Sequence, residues 1–355
     1  MPKTFVNIDG TVVDKFIYSQ FITYIQLKDI TPPLLVGLKD KLVNVFIDLY
    51  SMLIPLYTFY NYSNSLSLTA CLVNAAIHYR NYFRKFGIYT NIFLYYSPTM
   101  SSNNLRYCPE YNKSNNNKIL HNIEVRQLVD QNLALLGVVA PYLPDIYFRI
   151  GTVETPIMAV DTMMNFISRG FDTNCLFVTS SPIAFQIPVL CPKATIFCRR
   201  HNGEVLVVNR ENVLEQALHY TKNQPLPIQG LDPSWISGFY TLCGLSKRNI
   251  KSLMSYKTAF NVFKRMLESG ATMNPDAMYQ AYVEVKEKES IDLKKSLDLI
   301  HNRFKCFDFV QQLAMYKTMP ESKETAYLTQ LQDWEELLHL NDQYFRDNPM
   351  QLDKL

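Results

Sequence analysis

The sequence has no CxxC pair among its seven cysteines (Cys71, Cys108, Cys175, Cys191, Cys198, Cys243 and Cys306), and its six histidines are dispersed. An odd, scattered set of thiols argues against a zinc cluster and against a disulfide framework, and it fits a reducing cytosol. The first residues lack the shape of a signal peptide. No stretch reads as a membrane span. The most apolar one, Leu42 to Tyr60, contains Asp48 and several tyrosines, and a buried strand running into a helix explains it better. There is no internal repeat. What remains is an ordinary globular chain: 355 residues, 48% hydrophobic and 19% charged, enough for one large domain or two modest ones with a sizeable core.

The net charge of +3 is too small to announce a nucleic-acid binder, but its distribution is uneven. From Glu321 to the end there are eight acidic and three basic residues, a net of −5. Taking −5 from +3 leaves about +8 on the residues before it. Clustered, that is a basic surface; scattered, it is solvated charge.

Along the chain, residues 4–17 predict a hairpin turning at Asp9-Gly10, the start of an extension over 1–41. LVNVFIDLY, residues 42–50, predicts a buried parallel strand with Asp48 at its carboxyl end. A helix follows over 66–86 and stops at Gly87. A second strand is predicted over 88–97, and an Asn-rich polar tract covers 98–118. A helix covers 119–137, a strand 145–150, a helix 153–170 and a strand 174–181. A final hairpin, 194–200 with 204–209, turns at Asn202-Gly203. Strands alternating with helices imply a right-handed βαβ sheet, with its working site at the carboxyl ends of the strands. Asp48, Tyr95 to Ser97, Glu154 and Ser180 to Ser181 then face one another. From Asp232 the pattern is helical, with two helices joined by a short turn, longer helices over 276–315, and an acidic amphipathic stretch at 323–340.

Five segments, in order, resemble the phage-type 5′→3′ exonuclease and flap endonuclease family, within the wider PIN-like group. VFIDLYSM resembles the first motif, whose Asp is a metal ligand. LRYCPEYNKSNNNK, residues 105–118, resembles the R…PEYKxxR segment that leads into the helical arch. GTVETPIMAVDTM resembles G-x-E-A-D-D. FVTSSPIAFQI, residues 177–187, resembles V-T-x-D-x-D-x-x-Q-L. LCGLSKRNIKSL followed by YKTAFNVFKRML resembles L-x-G-D-x-S-D-N-I and K-T-A-x-x-L-L. The resemblance implies an α/β PIN-like, mainly parallel sheet with helices on both faces over 42–225, and an arch-like segment at 98–140. It further implies a helical helix-turn-helix region at 226–318, leaving an acidic tail at 319–355.

The family's chemistry is two-metal phosphodiester hydrolysis, which needs several carboxylates because Mg²⁺ takes hard oxygen ligands. This chain keeps two at matching positions, Asp48 and Glu154. The other acids align with Tyr95, Tyr96 or Ser97, with Pro156 and Ile157, with Ser181 and Ile183, and with Leu245 and Arg248. Isoleucine cannot ligate a metal, and an apolar wall makes a neighbouring unpaired charge costly. Arg248 brings positive charge where an acid belongs. Asp161 is a third carboxylate, but it lies seven residues beyond Glu154, about 10 Å along the helix axis. Asp48 and Glu154 therefore read either as residual ligands of a single Mg²⁺ or Mn²⁺, or as hydrogen-bond acceptors holding Ser181 or backbone amides, with no cofactor required.

Candidate nucleic-acid contacts are Arg106, Lys113 and Lys118 in the arch-like segment and Lys247, Arg248, Lys251 and Lys257 in the helical motif, continued by Lys264 and Arg265. Such contacts are sequence-blind and salt-sensitive. Tyr95, Tyr96, Tyr107 and Tyr111 are candidates for base stacking or for the core. Three readings stand. The first is an inactive nuclease fold kept as a DNA-binding or scaffolding subunit of a phage or viral replication or transcription complex, in the infected host's cytoplasm. Its ligand is branched, single-stranded or duplex DNA, and protein partners dock on 1–41 or 319–355. The second is an active 5′ nuclease with a reduced metal site at Asp48, Glu154 and Asp161. The third is a structural protein without nucleic-acid binding.

Overall fold

The computed structural model describes residues 5–6, 12–13, 37–49, 65–97, 106–111, 123–140, 143, 145–151, 153–171, 174–200, 205–222, 231–285 and 293–317. Two short strands, β1 (Phe5–Val6) and β2 (Val12–Val13), pair antiparallel as the predicted hairpin. The main sheet begins with β3 (Leu42–Asp48). Every residue from Val43 to Asp48 is buried, as expected of a strand covered on both faces. Helix α1 (Ser65–Arg84) follows, and the chain reverses at Gly87, whose φ of 71° suits a residue without Cβ.

Strand β4 (Tyr89–Tyr96), helix α2 (Ile123–Val139), strand β5 (Ile146–Ile150), helix α3 (Thr155–Ser168) and strand β6 (Asn174–Thr179) complete the alternation. A 3₁₀ turn over Pro182–Gln186 and a short helix, α4 (Ile187–Leu190), lead to the hairpin of β7 (Ala194–Arg199) and β8 (Val205–Val208). Helix α5 (Val213–Lys222), which the sequence reading did not anticipate, closes this part.

The six strands lie in the order β5-β4-β3-β6-β7-β8. All neighbours are parallel except β7 and β8. The chain builds outward from β3 to β5, then returns to the other side of β3 with β6. The switch point therefore lies between β3 and β6, where such sheets bind their ligands. One face carries an apolar core with α1 and α2, including Val45, Ile77, Leu94 and Leu136. The other carries a larger core, which joins α3 to the helical region through residues such as Phe46, Met158, Phe185, Tyr240 and Phe263. Each face buries one alternate set of strand side chains.

The helical region comprises α6 (Ile236–Cys243), a 3₁₀ turn at Ser246–Arg248, α7 (Tyr256–Glu268), α8 (Pro275–Val285), α9 (Leu293–Phe307) and α10 (Phe309–Lys317). Helix α9 packs on α6 and α8, and α10 returns to α3. The described helices include none long and apolar enough to cross a membrane. The six cysteines with described side chains are buried free thiols.

Candidate functional site

The carboxyl ends of β3 and β6 sit side by side at the switch point. Asp48 closes β3, and its Oδ2 accepts a hydrogen bond from Thr179 Oγ1 at 2.8 Å across the strand pair. The same Thr179 oxygen accepts from the Ser181 amide at 2.9 Å. One buried hydroxyl thus ties the last carboxylate of β3 to the loop after β6.

Glu154 sits at the N-cap of α3, with Pro156 in the first turn of the helix, a position where proline costs no hydrogen bond. The two carboxylate oxygens have different donors. Tyr111 Oη donates to Oε1 at 2.5 Å, and Arg248 Nη2 donates to Oε2 at 2.7 Å. The same Arg248 nitrogen donates to Ser181 Oγ at 3.0 Å, and the guanidinium lies 5.8 Å from the centre of the Tyr111 ring. The Arg248 and Glu154 side chains are only 16% and 9% exposed, so this is an ion pair largely shielded from water. Tyr111 is fully buried. Burial and then the Glu154 charge raise its phenol well above the ordinary value, so it stays a donor.

Arg248 reaches this point because of the turn that carries it. Gly244 ends α6 at φ 71°, and a Cβ there would lie 2.5 Å from the Ile250 carbonyl oxygen. Leu245 and Ile250 exchange backbone hydrogen bonds of 2.9 and 3.2 Å, and Asn249 takes a left-handed φ of 56°. The loop between them points Arg248 back at the sheet. A second clamp lies alongside it. Asn249 Nδ2 donates to the Glu110 carbonyl at 3.2 Å, and buried Arg303 on α9 donates to the Lys251 carbonyl and lies 3.7 Å from Glu110.

Apart from Arg248, the positions where the motifs call for further acids are apolar or neutral. Ile157, Ile183 and Leu245 are each 1% exposed. Asp161 faces Arg149 at 4.0 Å and accepts a weak contact from Asn165 at 3.5 Å, one turn along the helix. Among the described residues, no group of three or more His, Cys, Asp or Glu is placed to hold a metal ion. The donor set does not fit a pair of divalent ions. Both oxygens of Glu154 already accept protein donors, a guanidinium stands at the carboxylate, and Ile157, Ile183 and Leu245 supply no ligand where further acids would be needed.

The candidate nucleic-acid residues separate into groups. Arg106, Lys251 and Lys257 are exposed. Arg248 turns inward. Lys264 and Arg265 pair with Glu268, and Arg265 also with Glu284. The backbone of Lys247 lies in the 3₁₀ turn, while Lys113 and Lys118 fall outside the described residues. Of the four tyrosines, Tyr95, Tyr96 and Tyr111 are buried in the core, and Tyr107 lies beneath Lys305 at 4.9 Å. The sequence reading missed the roles of Tyr111 and Arg303. The Pro-Glu-Tyr motif was the available signal for Tyr111, but nothing local pointed it at Glu154.

No protein-family model matches the sequence, and no curated protein matches it. Similarity appears in the fold. The D15 protein of phage T5, co-crystallised with metal ions, superposes with a TM-score of 0.52 at 13% identity, covering 84% of this chain and 99% of that one. An aspartate-to-lysine variant of the bacteriophage T5 D15 flap endonuclease, described as a pseudo-enzyme–product complex with DNA and metal ions, gives 0.51 at 13% identity over 88% and 100%. With the strand order, the switch-point cleft and the helical turn in place, the chain has the PIN-like fold of the 5′→3′ exonucleases and flap endonucleases.

Proposed function

We propose that this chain is a DNA-binding subunit with a flap-nuclease fold that does not hydrolyse DNA, working in a phage or viral replication or transcription assembly. The observation that carries this reading is the state of Glu154, whose two oxygens are taken by Tyr111 and Arg248. Two-metal hydrolysis needs carboxylates free to hold ions around the scissile phosphate. A one-ion site at Asp48, Glu154 and Asp161 is disfavoured, because Asp161 faces Arg149.

The grip on DNA is assigned to the helical turn and α7. Lys251 and Lys257 are exposed there beside the tight turn at Gly244–Ile250, and Arg106 is exposed on the segment that packs against that turn. Lys247, Lys113 and Lys118 extend the same proposal. The T5 lysine variant supports the DNA-binding part by analogy: with a lysine in place of an aspartate it is a pseudo-enzyme seen in a product complex with DNA and metal ions. Residues 1–41 and 319–355 are proposed to dock protein partners.

A mobility-shift titration of a labelled 5′-flap DNA over a salt series tests the reading. The unmutated protein is expected to bind with a clear negative salt slope. Lys251→Glu/Lys257→Glu is expected to weaken binding by at least about tenfold and flatten the slope by about two phosphate contacts. Equal binding by both proteins, or none by the unmutated one, contradicts it.

A further inference from the structure

We infer that Arg248 is a tethered substitute for the divalent ion of this cleft, holding closed a cation site that its removal would open. The inference rests on the reading that the cleft works without metal. Its starting point is one nitrogen. Arg248 Nη2 bonds Glu154 Oε2 at 2.7 Å and Ser181 Oγ at 3.0 Å, so a single positive group bridges the start of α3 and the loop after β6. Joining oxygens from separate elements around one point of positive charge is the structural work of a metal ion. The segment 106–111 enters the same cluster through Tyr111, which bonds the other oxygen of Glu154. The side chain arrives from a fourth element, the turn after α6.

Two further features fit a substitution of charge. The guanidinium is planar with a fixed fork of donors, always charged and more weakly hydrated than an ammonium, so it tolerates a site shielded from water better than lysine does. The acid positions around it are Ile157, Ile183 and Leu245, all buried. With so few carboxylates left, one internal cation balances the cleft where a pair of divalent ions would overcharge it.

Taking the charge away leaves Glu154 Oε2 and Ser181 Oγ facing the space of the guanidinium, with Asp48 linked to Ser181 through Thr179. Hard oxygens beside a vacated volume that water can enter form a site for Mg²⁺ or Mn²⁺, which bind through one or two carboxylates and keep several waters.

Arg248→Met keeps most of the stem's packing and removes the charge. Thermal unfolding is followed with EDTA, with Mg²⁺ and with a Mn²⁺ titration, and Mn²⁺ uptake is read by calorimetry. The unmutated protein is expected to melt at the same temperature in all three and to take up no Mn²⁺ at this site. R248M is expected to melt several degrees lower in EDTA and to recover at least half of that loss in Mn²⁺. Adding Glu154→Gln to R248M is expected to abolish the recovery. R248K, which keeps a charge, is expected to remain indifferent to Mn²⁺. If R248M does not fold alone, refolding it with and without Mn²⁺ is the same test, with recovery only in Mn²⁺ as support. No metal response in R248M, or a response that Glu154→Gln leaves intact, overturns the inference while leaving the binding subunit reading standing. Metal-dependent cleavage of flap DNA by the unmutated protein overturns that reading instead.

Discussion

The carboxyl edge of the sheet and the helical turn opposite it treat the family's motifs in opposite ways. At the turn, the residues that set backbone geometry are those the motif calls for. Gly244 takes a φ that leaves no room for a Cβ and Asn249 takes the left-handed region; outside the motif, Ser255 caps α7 by accepting from the Thr258 amide at 3.2 Å. At the sheet edge, the backbone geometry is also present, with parallel register and a switch point, but of the acids only Asp48 and Glu154 remain. A fold can keep the parts that shape a site and exchange the parts that do its chemistry, because the two are carried by different residues. Arg248 stands where they meet: its backbone belongs to the turn and its guanidinium to the sheet edge.

The comparison is broken most severely at Glu154. Glu154→Ala leaves Arg248 as a buried cation without its carboxylate, and a loss of about 3 kcal/mol in unfolding free energy is expected from chemical denaturation. The double variant Glu154→Leu/Arg248→Met is expected to recover part of that loss, since both charges leave together. A double variant as unstable as the single would mean that the pair contributes through packing alone.

Tyr111→Phe sharpens the same side, with an expected cost of about 2 kcal/mol for one hydrogen bond to a charged group. It also has a pH signature. Burial holds the phenols of Tyr111 and Tyr240 well above their ordinary value, so the unfolded chain releases these protons first. Stability is therefore full below about pH 10, the unfolded value, and falls as pH rises beyond it. Removing Tyr111 is expected to make the alkaline fall shallower by one proton, as read from denaturation midpoints between neutral and alkaline pH.

On the turn side, Lys251→Glu/Lys257→Glu is expected to cost DNA binding about 1.4 kcal/mol or more, the tenfold loss given above, without lowering the melting temperature. The smallest effect is expected at Asp48. Asp48→Asn still offers Thr179 an acceptor, so stability should change by about 0.5 kcal/mol or less and flap-DNA binding not at all. A large loss of DNA binding in Asp48→Asn would show that the sheet edge still engages the ligand through that carboxylate.

Periodicity and punctuation carried most of the fold. The buried run 42–48, the glycine stop at Gly87 and the β7–β8 hairpin were legible because each is a local signal. Helix α5 was not, since its short amphipathic run follows directly on a strand. The site was legible as a set of positions but not as a set of contacts. Arg248 and Glu154 are 94 residues apart, and Tyr111 and Glu154 are 43 apart. No spacing rule links residues brought together by a βαβ crossover and a helical return. Arg248 could be read as positive charge at an acid's position, but its direction depends on the left-handed Asn249 beside it. The base-stacking reading of Tyr95, Tyr96 and Tyr111 gives way to burial, because Tyr95 and Tyr96 enter the two cores that flank the sheet and Tyr111, on the segment 106–111, packs against Phe307 of α9.

The most direct measurement puts one labelled 5′-flap DNA with the unmutated protein in Mg²⁺, in Mn²⁺ and in EDTA, reading mobility shift and strand length from the same samples. The account predicts a shifted complex in all three, no tighter with metal than in EDTA, with the strand intact. Metal-dependent shortening of the strand, absent in EDTA and abolished by Asp48→Ala, would contradict it.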